Sequence, residues 1–253
     1  MDEAELAAAG TANFLGSFAK LVEHGDAGEV RDVGGVFAFV TGHPISLFNG
    51  CVVTEQVSAG ALEDALAWVR EHDVPHRAWI VDGLVEELGS VALEAGLRRG
   101  PEPYPNMVLR PVPEAPAPAE GVSVVAVDRS SLNALLDVSV ALGMPRDLAE
   151  RVFVPGLLDD PDVRLFVGSL DGRPAGTSLA IRTGETSGVY NVGTVPVARR
   201  RGVASAATWA AVSAGREWGC DVVVLQSTAM ALSMYEAIGF RTIATYAMFM
   251  PAV

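Results

Sequence analysis

The sequence predicts an α/β fold arranged as two tandem copies of one unit, on three observations. First, a β-branched run from Val189 to Val195, a tight Arg/Gly turn and a long helical pattern follow one another without a break. Second, that order recurs earlier in the chain. Phe48-Asn49-Gly50-Cys51-Val52-Val53, a helical pattern and Arg77-Ala78-Trp79-Ile80-Val81-Asp82-Gly83 parallel Tyr190-Asn191-Val192-Gly193-Thr194-Val195, a helix and Asp221 to Ser227. Third, Arg110 to Glu120 alternates proline with alanine, which cannot build a packed element and favours an extended polyproline conformation. The boundary is placed near residue 115, giving halves 1–115 and 120–253.

Residues 1 to about 30 read as an amphipathic helical start, with Leu6, Phe14, Phe18, Leu21 and Val22 on one side. Gly34-Gly35 opens a strand from Val36 to Thr41, and His43-Pro44 turns the chain into another from Ile45 to about Thr54. Ser58 is placed to cap a helix ending near His72. Arg77 to Val81 is a short strand, Val85 to Ala95 a helix and Tyr104 to Leu109 a strand.

The second half restarts with a strand from Val122 to Val127. Asp128 or Ser130 can cap a helix over Leu132 to Leu142, and a further helical piece follows Pro145. Strands from Val163 to Leu170 and from Pro174 to Arg182 are joined by Asp171-Gly172-Arg173, an Asp-Gly hairpin signal. A third strand, Thr186 to Val195, ends at Pro196, which cannot donate to a ladder. Val203, Ala207, Ala210, Ala214 and Trp218 then recur at helical spacing, and Gly219 is placed to cap the helix.

Half of the 253 residues are apolar, enough for one large core or two ordinary ones. The net charge of −13 argues against nucleic acid, which calls for a basic face, and is compatible with a cationic amine partner. No apolar run is long enough to cross a bilayer, and the acidic start Met1-Asp2-Glu3 is the opposite of a signal peptide. The expectation is a cytoplasmic protein with no membrane partner. Cys51 and Cys220 are expected as reduced, apolar-packed thiols. The histidines lack metal-ligand spacing, so no metal is expected, and His43, His72 and His76 are assigned to surface or loop positions. Met230, Met234, Met248 and Met250 are read as core or cleft lining.

The junction Arg199-Arg200-Arg201-Gly202-Val203-Ala204-Ser205 has a clear physical meaning. A helix start leaves its first N–H groups unpaired and carries the positive end of the helix dipole, so it attracts an anion. Gly202, Ala204 and Ser205 lack bulk, and three arginines add positive charge to an acidic protein. The site suits a diphosphate. It is not a Walker-type loop, because no Gly-x-x-x-x-Gly-Lys-Ser/Thr occurs. The remaining alternative is a solvated basic turn with no ligand.

The spacing Arg199-x-x-Gly202-x-Ala204 resembles the pyrophosphate loop of the GNAT superfamily of acyl-CoA-dependent N-acetyltransferases, and Pro196 stands where that family often has proline. Downstream, Tyr235-Glu236-Ala237-Ile238-Gly239-Phe240 resembles the family's late Tyr-x-x-x-Gly-Phe segment. The resemblance covers roughly residues 121 to 253. It implies a mixed α/β fold, with a mixed sheet, in tandem acyl-CoA N-acyltransferase-like domains, the first of them degenerate. Where the second copy has its Arg/Gly turn, the first has Thr54-Glu55-Gln56-Val57-Ser58, and a glutamate at a helix start repels a diphosphate. Tyr235 is matched by Leu93.

By position, the resemblance implies that backbone of Val192, Gly193, Thr194 and Val195 receives the pantetheine arm of acetyl-CoA, and that Arg199 to Ser205, Val203 included, holds its diphosphate. Ser227 is a further candidate for cofactor contact. Tyr235 is the candidate general acid, since a tyrosine titrating near ~10 stays protonated at neutral pH. Glu185, Glu150 and Asp159 are available as bases, and nothing in their spacing singles one out. The expected activity is acetyl transfer to a primary amine, on a small molecule or a protein, by direct attack in a ternary complex. The alternative is a non-catalytic acyl-CoA-binding or regulatory module. Oligomeric state is left open.

Overall fold

The computed structural model describes residues 1–252. The first half contains α1 (Glu3–Glu23), β1 (Glu29–Val33), β2 (Val36–Val40), β3 (Asn49–Val53), α2 (Ala59–Arg70), β4 (Arg77–Val81), α3 (Val85–Glu94), β5 (Leu97–Arg99) and β6 (Tyr104–Leu109). The linker has no regular structure, and β7 (Val122–Ala126), α4 (Leu132–Ala141), α5 (Arg146–Val152) and α6 (Gly156–Asp159) follow it. Next come β8 (Val163–Leu170), β9 (Arg173–Thr183), β10 (Thr186–Thr194), α7 (Val203–Glu217), β11 (Val222–Gln226), α8 (Leu232–Ile238) and β12 (Arg241–Pro251). The fold is mixed α/β with mixed strand directions, as expected.

Local chemistry explains the boundaries. Asp2 and Glu5 cap α1 reciprocally, each side chain accepting the other's amide, at 2.7 and 2.9 Å. Ser58 Oγ accepts the Ala61 amide at 3.1 Å and starts α2 where expected. The turn into β9 uses positive φ at Asp171 (50°) and Gly172 (76°), the conformation an Asp-Gly pair supplies at low cost.

Several expectations are corrected. Helix α1 stops at Glu23 rather than near residue 30, because Glu29–Val33 forms β1, a hairpin partner of β2 across Gly34-Gly35. Four of the five β1 residues are exposed, so the run shows no apolar alternation and gains its structure from pairing. The strand expected from Ile45 begins only at Asn49, after a single 3-10 turn over Ser46–Phe48. Buried Asn49 sets that start: it accepts the Thr41 amide at 2.9 Å and donates to the carbonyls of His43, Ile45 and Pro75 at 2.8, 3.1 and 3.0 Å. His43 is in a loop but buried, its ring edge-on to Phe48 at 5.7 Å. Met230 is 82% exposed and lines no core.

The described chain divides into two compact units. The first comprises Met1–Asn13, Val108–Leu225 and Ser233–Arg241. Its strands run in the order β11-β10-β9-β8-β7, an antiparallel meander from β7 to β10 with β11 added parallel through the α7 crossover. α7 lies against the meander on Val203, Ala207, Thr208, Ala211, Val212, Ala214 and Gly215, all buried. Gly215 is required by close approach, since a Cβ there would stand 2.7 Å from that of Ser187. Fully buried Asn13 donates to the carbonyls of Ile181 and Thr186 at 3.0 and 3.2 Å and accepts from the Tyr190 hydroxyl at 2.6 Å.

The second unit comprises Phe14–Met107, Gln226–Leu232 and the residues from Thr242 on. Its strands run β1-β2-β3-β4-β12-β6, with β5 against β12. Strand alternation sorts its side chains into two cores. Val36, Ala38, Cys51, Val53, Ala78, Ile80 and Phe249 pack with Leu62, Leu66 and Leu88 of α2 and α3. Phe39, Trp79 and Tyr246 lie on the other face with Phe14 and Phe18 of α1, ring centroids 4.0 to 6.0 Å apart. The compact units do not coincide with the linear halves: β12, from the C-terminal half, pairs antiparallel with β4 from Tyr246↔Val81 to Phe249↔Ala78.

Both cysteines are free and buried, and burial pushes both thiols above their ordinary range. Native Cys51 should resist a thiol reagent at pH 8 and Cys220 should react far more slowly than a free thiol, with both labelled in denaturant; rapid native labelling of Cys51 would contradict this packing. Hydrogen bonds from Ser130 and Ser131 hold the Asp128 carboxyl at about 2. That lies below its unfolded value of ~3.9, so its contribution to the start of α4 is present above pH ~4 and lost as pH falls through about 2. An NMR titration should place the Asp128 midpoint near 2, with amides at the α4 start losing exchange protection over the same range.

Candidate active site

The site begins where two strands part. β10 pairs with β11 only at Thr186↔Val222, Ser187↔Val223 and Gly188↔Val224. It then continues to Thr194, held on its other edge by β9 through Gly193↔Thr177 and Thr194↔Gly176. Beyond Gly188, therefore, one edge of β10 is open to β11. The parting coincides with a bulge between Tyr190 and Gly193, in which Asn191 takes a left-handed φ of 49° and its carbonyl accepts the Thr177 hydroxyl at 2.9 Å.

Alternation decides which backbone groups face the gap. The Val195 amide donates to the Ala175 carbonyl at 2.9 Å, so Val195 and Gly193 address β9. Val192 and Thr194 then present their amides to the open edge. Thr194 serves there with backbone alone: its hydroxyl lies near Gly176, buried and unpaired among the described residues. The Arg199 side chain folds back, its Nε donating to the Thr194 carbonyl at 3.3 Å.

The strand leads through a 3-10 turn at Pro196–Ala198 into Arg200 (φ 62°) and Gly202 (φ 85°), two left-handed residues that aim the chain into α7. Gly202 also passes beside the linker, where a Cβ would stand 3.0 Å from that of Ala119. Val203 is buried against Val122, Ala175 and Ala198 and anchors the helix start. The first helical hydrogen bond runs from the Ala206 amide to the Gly202 carbonyl at 2.9 Å. Among the described residues, no acceptor meets the amides of Gly202, Val203, Ala204 or Ser205. These unpaired donors, the helix dipole and exposed Arg200 give the corner an anion-binding character. Arg201 is exposed, 3.9 Å from the Asp171 carboxylate.

Tyr235 is buried in α8, edge-on to Phe240 at 5.9 Å. The helix closes through Gly239 (φ 112°), and the Phe240 amide returns to the Tyr235 carbonyl at 3.0 Å. The Tyr-x-x-x-Gly-Phe segment therefore has the helix-ending role expected of it. Ser227 falls in the other unit, buried, with its amide on the Pro105 carbonyl at 2.9 Å and its hydroxyl on the Thr228 carbonyl at 2.8 Å. Both of its donors are already used inside the protein.

Of the candidate bases, Asp159 pairs with Arg129 at 2.6 Å and Glu150 with Arg146 at 2.8 Å. Glu185 sits in the β9–β10 turn, at the paired end of β10. Two residues at the gap had no sequence signal. Asn13 fills the space beside Gly188 that a side chain there would need, where the β10–β11 pairing ends. Leu142 stands on Gly193, its Cδ1 2.5 Å from where a Cβ would be.

The first half differs at the corresponding place. β3 pairs with β4 continuously from Gly50↔Arg77 to Val53↔Ile80, and a Cβ at Gly50 would overlap the Arg77 carbonyl oxygen. No gap opens there.

Comparison with known proteins agrees with this geometry. The model of the acetyltransferase (GNAT) family matches residues 136–240. No curated protein matches the chain. Among solved structures, a GCN5-related N-acetyltransferase from Kribbella flavida is similar at TM-score 0.69 and 20% identity, over 96% of this chain and 95% of its own. A GCN5-related N-acetyltransferase from Sphaerobacter thermophilus is similar at TM-score 0.64 and 18% identity, over 87% and 78%. A tandem GNAT protein from the clavulanic acid biosynthesis pathway is similar at TM-score 0.60 and 15% identity, over 89% and 83%. Residues 136–240 thus match the acetyltransferase (GNAT) family model, within a chain whose mixed α/β fold is similar to that of GCN5-related N-acetyltransferases and of a tandem GNAT protein.

Proposed function

We propose that the chain is an N-acetyltransferase that transfers the acetyl group of acetyl-CoA to a primary amine, on a small molecule or a protein, by direct attack in a ternary complex. One observation carries the reading: a strand edge that has no partner among the described residues leads directly to four helix-start amides that meet no acceptor among them. An open edge can pair with an extended amide-bearing arm, and the helix start can take a diphosphate. Acetyl-CoA joins both features and supplies an activated acyl carbon.

In this reading the amides of Val192 and Thr194 bond the pantetheine and polarise the thioester carbonyl, with Gly193 and Val195 keeping the strand in place. Donors aimed at an oxygen that becomes negative are commonly a large catalytic term. The amides of Gly202 to Ser205 and the side chains of Arg200 and Arg201 hold the diphosphate, while Arg199 braces the strand end. The amine nitrogen attacks the acyl carbon, a C–N bond forms and the C–S bond breaks. Tyr235 gives its proton to the departing thiolate, and the nitrogen releases its own to solvent.

We assign halves 1–115 and 120–253 to two copies of one ancestral unit, the first without this activity. Its closed β3–β4 pairing and Glu55 ahead of α2 support that assignment. The acidic surface favours a cationic acceptor over nucleic acid, and a cytoplasmic setting suits the two free thiols. No helix of the described residues is long and apolar enough to cross a membrane. A non-catalytic acyl-CoA-binding role is the second reading, favoured by the ion pairs that already engage Glu150 and Asp159.

Two measurements separate these readings. Gly202→Asp and, with the backbone untouched, Arg201→Glu should weaken acetyl-CoA binding about tenfold or more in calorimetry, since a hydrogen bond to a charged group is worth roughly 1.5–3 kcal/mol. Unchanged affinity in both would defeat the enzyme and the binding module alike. Tyr235→Phe should lower kcat for thiol release about 100-fold with KM for acetyl-CoA little changed. A wild type that binds acetyl-CoA and releases no thiol with any amine would leave the binding module.

A further inference from the structure

The α4–α5 connection meets β10 at the one glycine of its open stretch. α4 ends at Ala141, Gly143 turns left-handed (φ 102°), and the Met144 amide closes on the Ser139 carbonyl at 3.1 Å. Arg146 then ties the connection from three sides: Asp137 at 2.5 Å, Glu150 at 2.8 Å and Asn133 at 3.2 Å. Leu142 is held by this turn with Cδ1 2.5 Å and Cγ 3.6 Å from the Cβ position of Gly193, so only a glycine at 193 lets the leucine seat. Yet 37% of Leu142 is exposed, an apolar side chain laid on the strand without being covered.

Gly193 lies between Val192 and Thr194, the residues whose amides face the gap. An acyl carbonyl bonded there projects its carbon chain alongside Gly193. We propose that Leu142 is the specificity-determining wall of the acyl subsite, accepting the two-carbon acetyl group and rejecting longer straight-chain acyl thioesters. The inference rests on the acyltransferase reading and adds its acyl selectivity. A leucine seated on Gly193 offers a methyl group apolar contact and stands in the path of further methylenes. A single methylene in an apolar pocket is discriminated by about 10- to 200-fold. Because the wall is a side chain on a braced turn, shortening it opens space without disturbing β10.

The test compares wild type with Leu142→Ala on acetyl-, propionyl- and butyryl-CoA, reading thiol release with one amine and binding by calorimetry. Wild type should favour acetyl-CoA in kcat/KM. Leu142→Ala should raise the butyryl-to-acetyl ratio of kcat/KM about tenfold or more. Leu142→Phe should depress turnover of all three, propionyl-CoA more than acetyl-CoA. An unchanged ratio in an active Leu142→Ala variant would overturn the proposal and leave the acyltransferase reading intact. If the thioesters bind without turnover, the same ratio read from dissociation constants decides it. If none binds, the acyltransferase reading falls and the acyl wall with it.

Discussion

The structure depends on one constraint, the failure of β10 to complete its ladder. Backbone N–H and C=O groups are obligatory hydrogen-bonding partners, and a strand edge left open invites adventitious pairing. This protein keeps such an edge inside a fold rather than at its rim. β9 secures the other side of β10 up to Thr194, the bulge at Asn191 re-aims the backbone, and Asn13 ties both ends of the β9–β10 turn to α1. The opening is thus the residue of a well-supported strand. It ends against a helix start whose donors also meet no acceptor among the described residues, so two kinds of unsatisfied backbone line one path.

The two halves show how little separates a closed copy from an open one. Both have strand, turn, helix and strand in the same order. In the first, β3 is five residues long and pairs with β4 from Gly50 onward, with a glycine that lets the backbones touch. In the second, β10 is nine residues long and pairs with β11 for three of them. A strand that runs past its partner, and an arginine-flanked glycine where the other half has Glu55, distinguish the second half from the first. Ser58 caps α2 with its own hydroxyl, whereas α7 has no side-chain cap at all.

Much of this was legible from residue order. β4, β6 and β8 lie where β-branched and aromatic runs put them, and α2, α3 and α7 where caps and period put them. Those signals are local, and so are the Arg/Gly turn and the Tyr-x-x-x-Gly-Phe ending. The signals that failed were non-local. β1 carries no alternation because its neighbour supplies its order, and Asn49 truncates a strand by gathering carbonyls from as far away as Pro75. Leu142 and Asn13 reach the gap from positions 51 and 175 residues away in sequence from the glycines they touch, Gly193 and Gly188, and no spacing rule connects them. Ser227 illustrates the reverse failure: a serine after a strand looks available until its hydroxyl is found folded onto the next carbonyl.

The place of β12 in the order β4-β12-β6 has a consequence for how the chain comes into being. The flanking strands, ending at Val81 and Leu109, are made early, and the strand that joins them is made much later, from Arg241 onward. A nascent chain emerging from the ribosome must hold that slot vacant through most of its synthesis, with two ladders unmade and their apolar residues uncovered. Such long-range closure is slow and exposes the intermediate to aggregation. A fragment cut at the proline-alanine linker would inherit the vacancy permanently, which makes chaperone dependence, rather than modular excision, the natural companion of this topology.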